Sequence, residues 1–158
     1  MLKEGNRTMR RKDRQITDSE AHSILKEGEY GVLSTVSSNN APYGIPLNYC
    51  VIENCLYFHC APEGTKIDHI ESNPNVSFCV VGTTKLLPDK FSTAYESCIV
   101  RGVVSEVFEK EKLAALEKLI HKYSAHHIPA GLKYIEKLKG KTRVFKIAID
   151  SISGKANK

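Results

Sequence analysis

A strand-to-helix junction at residues 58–70 carries the residue types best suited to chemistry. The segment reads FHCAPEGTKIDHI, in which an apolar run gives way to Gly64, Thr65 and Lys66 before a helical pattern begins. The first amides of a helix have no intrahelical partner and lie at the positive end of its dipole. A phosphate there would accept hydrogen bonds from these amides and from the Thr65 hydroxyl, with Lys66 as a point charge. The same residues also fit a plain turn followed by a solvated helix, so the local pattern leaves both interpretations open.

A second patch surrounds Pro46 in the run PYGIPLNY. A proline cannot donate to a strand ladder, so it is confined to an edge, a bulge or a stretch of backbone that faces a ligand. Asn48 and Tyr49 follow it and offer an amide and a phenol. An ordinary edge strand explains the pattern equally well.

Charge, cysteines and histidines limit the class of protein. The net charge is +5, with much of the excess in a basic N-terminal arm, residues 1–16, which either binds nucleic acid or is merely a solvated end. The spacing of the five cysteines matches no common zinc pattern, and the adjacent His126 and His127 lack a third ligand, so we expect no metal. Without a signal segment or a long apolar run, we expect a cytoplasmic protein that does not enter a membrane.

Strand and helix patterns alternate through one domain, residues 17–158. Thr17 and Glu20 form a capping box, Gly28 ends the helix that follows, and Gly102 suggests a bend or bulge in a long strand. Helices are predicted in TDSEAHSILKEG, GTKIDHIESN, KEKLAALEKLIHKYS and AGLKYIEKLKG. Six strands are predicted in YGVLSTV, APYGIPLNYCVI, CLYFHC, NVSFCVVGTT, TAYESCIVRGVVSEVF and TRVFKIAIDSISG. The order favours a mainly β fold, an antiparallel barrel with peripheral helices.

Several of these segments, in this order and spacing, resemble the FMN-binding split-barrel proteins related to pyridoxamine 5′-phosphate oxidase. The sequences MRRKDR at 9–14 and FHCAPEGTK at 58–66 are similar to signatures of the 5-nitroimidazole-resistance (Nim-type) branch. The resemblance implies a six-stranded Greek-key split barrel that forms a homodimer, with FMN in a cleft at the subunit interface.

The resemblance also implies a set of FMN-binding residues. It places the phosphate on Gly64, Thr65 and Lys66. The other expected contacts are the ring-lining residues Pro46, Leu47, Asn48 and Tyr49, the segment His59, Cys60 and Ala61, and Tyr95 and Ser97 from the partner subunit. His59 is either a catalytic proton donor or substrate contact, or a residue that only packs on the ring.

Two departures from the oxidases change the expected activity. Thr65 stands where those enzymes place an arginine before the lysine, and the chain has no tryptophan and ends in SISGKANK. Oxidation of pyridoxamine phosphate is therefore not expected. The sequence instead predicts an FMN-dependent oxidoreductase in which a small electron-poor acceptor, such as a 5-nitroimidazole, receives electrons from reduced FMN. The alternatives are a non-catalytic binder of FMN, haem or another flat cofactor, and a small-barrel nucleic-acid-binding module.

Overall fold

The computed structural model describes residues 8–158, and the first residues of the basic arm, including Arg7, lie outside this range. The helices are α1 (Asp18–Glu27), α2 (Thr65–Ser72), α3 (Glu109–Tyr123) and α4 (Ile128–Leu138). The strands are β1 (Gln15–Ile16), β2 (Gly31–Val36), β3 (Pro42–Leu47), β4 (Cys50–Ile52), β5 (Cys55–Cys60), β6 (Asn75–Leu87), β7 (Ser92–Val107) and β8 (Arg143–Asn157).

The strands form one antiparallel sheet with the order β3-β2-β6-β7-β8-β5-β4, and β1 pairs with β8. β3 and β4 lie at opposite ends of this order although only Asn48 and Tyr49 separate them along the chain, so the sheet must curl back on itself. No ladder joins β3 to β4 or β5 within residues 8–158, and the barrel is split along this line. The predicted fold class, a mainly β antiparallel split barrel with peripheral helices, is confirmed.

The predicted count of six strands is wrong, because the described chain contains eight. The run APYGIPLNYCVI divides into β3 and β4 because the Tyr49 side chain is fully buried, which turns the chain into the core. β1 is only two residues long, too short to show a periodic pattern.

Two apolar clusters hold the elements together. The barrel interior contains Leu33, Phe58, Phe78 and Val100 among its buried side chains, and α1 and α2 contribute to the same cluster. The second cluster lies between α3, α4 and the outer face of β4, β5 and β8. A helix pair therefore supports one side of the barrel, next to the split.

The local signals for α1 and for the bend in β7 are confirmed. Thr17 and Glu20 form the capping box, and Ala21, Ile24 and Leu25 are buried. The β7–β8 register shifts between Arg101 and Gly102, where an added Cβ would lie 2.0 Å from the Ala148 carbonyl oxygen. Only glycine allows this close approach of the two strands.

The β6–β7 hairpin is longer than the sequence pattern predicts. Residues 85–87 pair with 92–94 beyond the end of the β7–β8 ladder, and the side chains of Leu86 and Phe91 are 75% and 98% exposed. Such exposed strand ends carry no alternation of buried and polar residues, which is why the pattern missed them. Among residues 8–158, no helix is both long enough and apolar enough to span a membrane.

Candidate functional site

The N-terminus of α2 presents free backbone donors at the edge of the barrel. Gly64, the N-cap, has φ +137° and makes no side-chain cap, and its carbonyl accepts hydrogen bonds from Ile67 N (2.8 Å) and Asp68 N (3.2 Å). The amides of Thr65 and Lys66 have no hydrogen-bond partner among the described residues. An added Cβ on Gly64 would meet nothing within 4 Å, so the space beside the N-cap is open.

Lys66, His59 and Cys60 lie together where β5 leads into α2. The half-buried Lys66 is close enough for its charge to act on the other two side chains. Crowding by the surrounding protein, and then the Lys66 charge, lower the pKa of His59, although its side chain remains exposed in the single chain. His59 is therefore neutral at neutral pH.

Arg143, at the start of β8, holds the loop that leads into α2. Its guanidinium donates to both oxygens of Glu106, at 3.0 and 2.7 Å, and to Glu71 on α2 at 3.1 Å. It also donates to the Pro62 carbonyl oxygen at 3.2 Å. The hydrogen bonds from Arg143 lower the pKa of Glu106, so the pair is ionised at neutral pH. One cation thus ties the loop and the helix to the barrel.

The opposite end of α2 is attached to the other side of the split. His69 Nδ1 lies 2.9 Å from Thr35 Oγ1 on β2, and its ring packs edge-on against Tyr43 on β3, with centroids 5.8 Å apart. Because α2 follows β5 directly, the helix bridges β5 and β3 across the split. The helix with the predicted phosphate end therefore packs against the predicted ring-lining strand.

The ring-lining residues of the prediction differ in their exposure. Pro46 is exposed on β3, whose second edge has no strand partner within residues 8–158, as a proline in a strand requires. Leu47 packs partly against the core, and Asn48 is exposed beside a cavity of about 490 Å³ that Lys122 and Tyr123 also line.

Tyr49 and Cys60 point inward rather than toward the cleft. The Tyr49 hydroxyl donates to the Leu25 carbonyl, and its ring is fully buried. Cys60 is also buried, and burial raises the pKa of its thiol. Both side chains serve the core, so any contact from Cys60 with a ligand would come from its backbone, whereas the Tyr49 amide already donates to the Tyr123 hydroxyl. Ala61 is exposed in the loop before α2.

Tyr95 and Ser97 lie far from α2 within one chain. Ser97 pairs with Lys155, whereas Cys60 pairs with Arg143 at the other end of β8. These two positions on β8 are 12 residues apart (155 − 143), which is roughly 40 Å of extended strand. A single chain does not bring these predicted residues together with Lys66.

Sequence reasoning missed Arg143 and Tyr123. Arg143 begins a strand of ordinary alternation, and Tyr123 ends an amphipathic helix, so neither carries a local signal. Only the pairing of distant segments shows what they contact.

The fold and the site define a split-barrel protein with an uncapped helix terminus suited to an anion. A family model described as pyridoxamine 5′-phosphate oxidase matches residues 17–156, and the chain belongs to this family. The comparison with curated proteins found no match.

Solved structures share the fold. A candidate 5-nitroimidazole antibiotic resistance protein from Bacteroides thetaiotaomicron is 26% identical, with a TM-score of 0.73 over 89% of this chain and 85% of that one. An FAD-binding protein from Mesorhizobium loti is 24% identical, with a TM-score of 0.66 over 92% and 98% of the two chains. An FAD- and heme-binding protein from Mycobacterium smegmatis is 16% identical, with a TM-score of 0.78 over 92% and 74%.

Proposed function

We propose that this protein is an FMN-dependent oxidoreductase that reduces a small electron-poor acceptor. The observation that carries the proposal is the uncapped N-terminus of α2, where two free amides and Lys66 lie next to the open space beside Gly64. Membership of the family and the flavin named for the Mesorhizobium loti and Mycobacterium smegmatis proteins support a flavin in this barrel.

The donor set fits the single phosphate of FMN. The amides of Thr65 and Lys66, the Thr65 hydroxyl and the Lys66 ammonium would hold it, and Gly64 leaves room for the approach. Arg143 would not bind the phosphate itself, because its guanidinium is paired with Glu106 and holds the loop before α2. The exposed residues of β3, with Asn48, would line the ring. When bound, FMN supplies the electron-transfer chemistry.

His59 is the side chain we assign to proton transfer during reduction of the acceptor. Its lowered pKa keeps it neutral at neutral pH, so its unprotonated ring nitrogen can accept a proton beside the cleft. A negatively charged phosphate beside Lys66 would offset the charge that lowers this pKa. The pKa of His59 would therefore rise when a phosphate binds beside Lys66.

We propose that a second copy of the chain completes the cleft. Val32, Val81, Ile99 and Val103 remain exposed on the outer face of β2, β6 and β7, with Val81 56% and Ile99 45% exposed. Val32 pairs with Cys79 and Cys79 with Ile99, so an apolar row crosses three strands. Such a row favours contact with another protein surface. In a homodimer built on this face, Tyr95 and Ser97 of one chain would approach the cleft of the other.

The acceptor class follows from the likeness to the Bacteroides thetaiotaomicron protein. A planar, electron-poor molecule such as a 5-nitroimidazole would stack beside the exposed residues of β3. The test is anaerobic: the purified holoprotein is reduced, a 5-nitroimidazole is added, and the visible absorption is followed. We expect reoxidation of the bound flavin together with loss of the nitro compound. A flavin that stays reduced while free FMN reoxidises would contradict the reductase activity.

A haem-binding or other non-catalytic barrel is the second candidate, because heme is named for the Mycobacterium smegmatis protein of the same fold. The absorption spectrum of the purified protein separates the two. A yellow protein that releases FMN on denaturation supports the flavin, whereas a Soret band supports haem. A protein that takes up neither would contradict both and leave the basic arm to be tested for salt-dependent nucleic-acid binding.

A further inference from the structure

The end of α3 clamps the corner between β3 and β4. The Tyr123 hydroxyl lies 3.0 Å from the Tyr49 amide nitrogen, 3.0 Å from the Tyr49 carbonyl oxygen and 2.6 Å from the Glu29 carbonyl oxygen. A hydroxyl has one proton, so it accepts from the Tyr49 amide and donates to one of the two carbonyls at a time. Three segments that are distant in sequence thus meet at a single side-chain oxygen.

Lys122 packs against the ring of Tyr49. Its Nζ lies 3.8 Å from the centroid of the Tyr49 ring and 5.2 Å from that of Tyr123, and it is buried with no hydrogen-bond partner among the described residues. Burial lowers the pKa of Lys122. A buried ammonium without hydrogen bonds costs free energy, and its contact with the aromatic faces offsets part of this cost. The arrangement is thus poorly explained by stability alone.

Tyr49 is fixed at its far end as well. Its hydroxyl donates to the Leu25 carbonyl of α1, and an added Cβ on Gly28 would lie 2.7 Å from this hydroxyl. The backbone, ring and hydroxyl of Tyr49 are therefore all held. The residue before it, Asn48, is exposed and shares a cavity of about 490 Å³ with Lys122 and Tyr123.

We propose that Tyr123 and Lys122 are positioning residues for the ligand cleft: by clamping Tyr49 they fix Asn48 and the exposed end of β3 in the geometry that a flat ligand requires. The proposal rests on the proposed function, since the ring-lining role of β3 and Asn48 belongs to it. The two residues act through Tyr49 and need not touch the ligand.

The first experiment uses the ligand-free protein and measures amide hydrogen exchange by NMR. In Tyr123→Phe the Tyr49 amide loses its hydrogen-bond acceptor. Its exchange should accelerate at least about fivefold, because the loss of one neutral hydrogen bond changes the opening equilibrium by about this factor. Tyr134→Phe is the matched control, because Tyr134 is an exposed tyrosine on α4. Equal protection of the Tyr49 amide in wild type and Tyr123→Phe would overturn the clamp itself.

The second experiment measures FMN binding well below the thermal unfolding temperature of each variant. Tyr123→Phe and Lys122→Met should each raise the Kd for FMN roughly three- to tenfold, because Asn48 and the end of β3 would be held less firmly, and should change the visible circular dichroism of bound FMN. Lys122→Arg, which keeps a cation over the ring, should restore both values. Lys118→Met is the control on the exposed side of α3.

The outcomes separate this proposal from the proposed function. If wild type binds no FMN, the proposed function fails, while the exchange experiment still tests the clamp. If wild type binds FMN and both variants match its Kd and spectrum, having lost only thermal stability, the positioning role is overturned. A changed spectrum that Lys122→Arg restores would support it.

Discussion

Burial and, after it, the neighbouring Lys66 charge keep the pKa of His59 low. Because the pKa of His59 lies below its ordinary value of 6.5, the unfolded chain takes up a proton first as the pH falls. The free energy of unfolding should therefore decrease as the pH is lowered from 6.5 toward the folded-state pKa, and level off below it. His59→Gln should remove this part of the pH dependence, as denaturant titrations at several pH values would show.

The same pair gives a direct spectroscopic prediction. Lys66→Met should raise the pKa of His59, because a neighbouring like charge is removed. NMR titration of the His59 ring measures this, and Lys133→Met on α4 is the control. An unchanged His59 pKa in Lys66→Met would show that the ammonium lies too far from the ring to matter.

Lys66 should also dominate the affinity for FMN. Removing a charge-assisted hydrogen bond to phosphate should raise the Kd for FMN about 10- to 100-fold in Lys66→Met. Fluorescence titration of the apoprotein measures the Kd. Riboflavin, which lacks the phosphate, should bind wild type and Lys66→Met equally, and an equal loss for both ligands would place the phosphate elsewhere.

At the scale of single residues, the sequence shows which chemical group is present but not always whether its side chain faces the core or the cleft. The helix start at Gly64, Thr65 and Lys66 lies where the pattern predicts it, because a helix start is a local feature. Tyr49 and Cys60 face the core because the corner at Tyr49 and the pairing of β5 set their orientation. Arg143 gains its role only from Glu106 and Pro62, which are distant in sequence.

The loop and helix that hold the predicted phosphate depend as a unit on Arg143. Arg143→Gln breaks the paired hydrogen bonds to Glu106 and the bond to Pro62, and should lower the free energy of unfolding by about 1–3 kcal/mol. It should also weaken FMN binding, because the loop before α2 loses its anchor. Glu71→Gln removes only the more exposed partner and should cost less than about 1 kcal/mol. Chemical denaturation and FMN titration of both variants test this, and an unchanged FMN affinity in Arg143→Gln would contradict the anchoring role.

Elements with strong local signals were predictable, and those defined by partners were not. The capping box of α1, the stop at Gly28 and the bulge at Gly102 follow from single residues and their sterics. The division between β3 and β4 and the existence of β1 depend on what the chain packs against. The periodicity of the sequence does not report such packing contacts, so it predicted neither feature.

For the whole molecule, the apolar row on β2, β6 and β7 gives the sharpest test of assembly. Ile99→Lys places a charge in the middle of this row and should shift the protein toward the monomer, because a buried unpaired charge opposes association. Analytical ultracentrifugation measures the mass. Leu132→Lys, at an exposed position on α4, should leave it unchanged. If Ile99→Lys keeps the mass of wild type, the interface lies on another face.

The position of β8 in the sheet also determines when the fold can form during synthesis. β8 lies between β5 and β7 and pairs with β1 as well, so residues 143–157 join segments made much earlier. Until these residues emerge, β5 and β4 have no ladder to the β3-β2-β6-β7 sheet, and the apolar faces of both parts stay uncovered. A nascent chain of this protein is therefore exposed to aggregation until residues 143–157 have been translated, and its closing step brings together contacts of long sequence separation, the kind that form slowly.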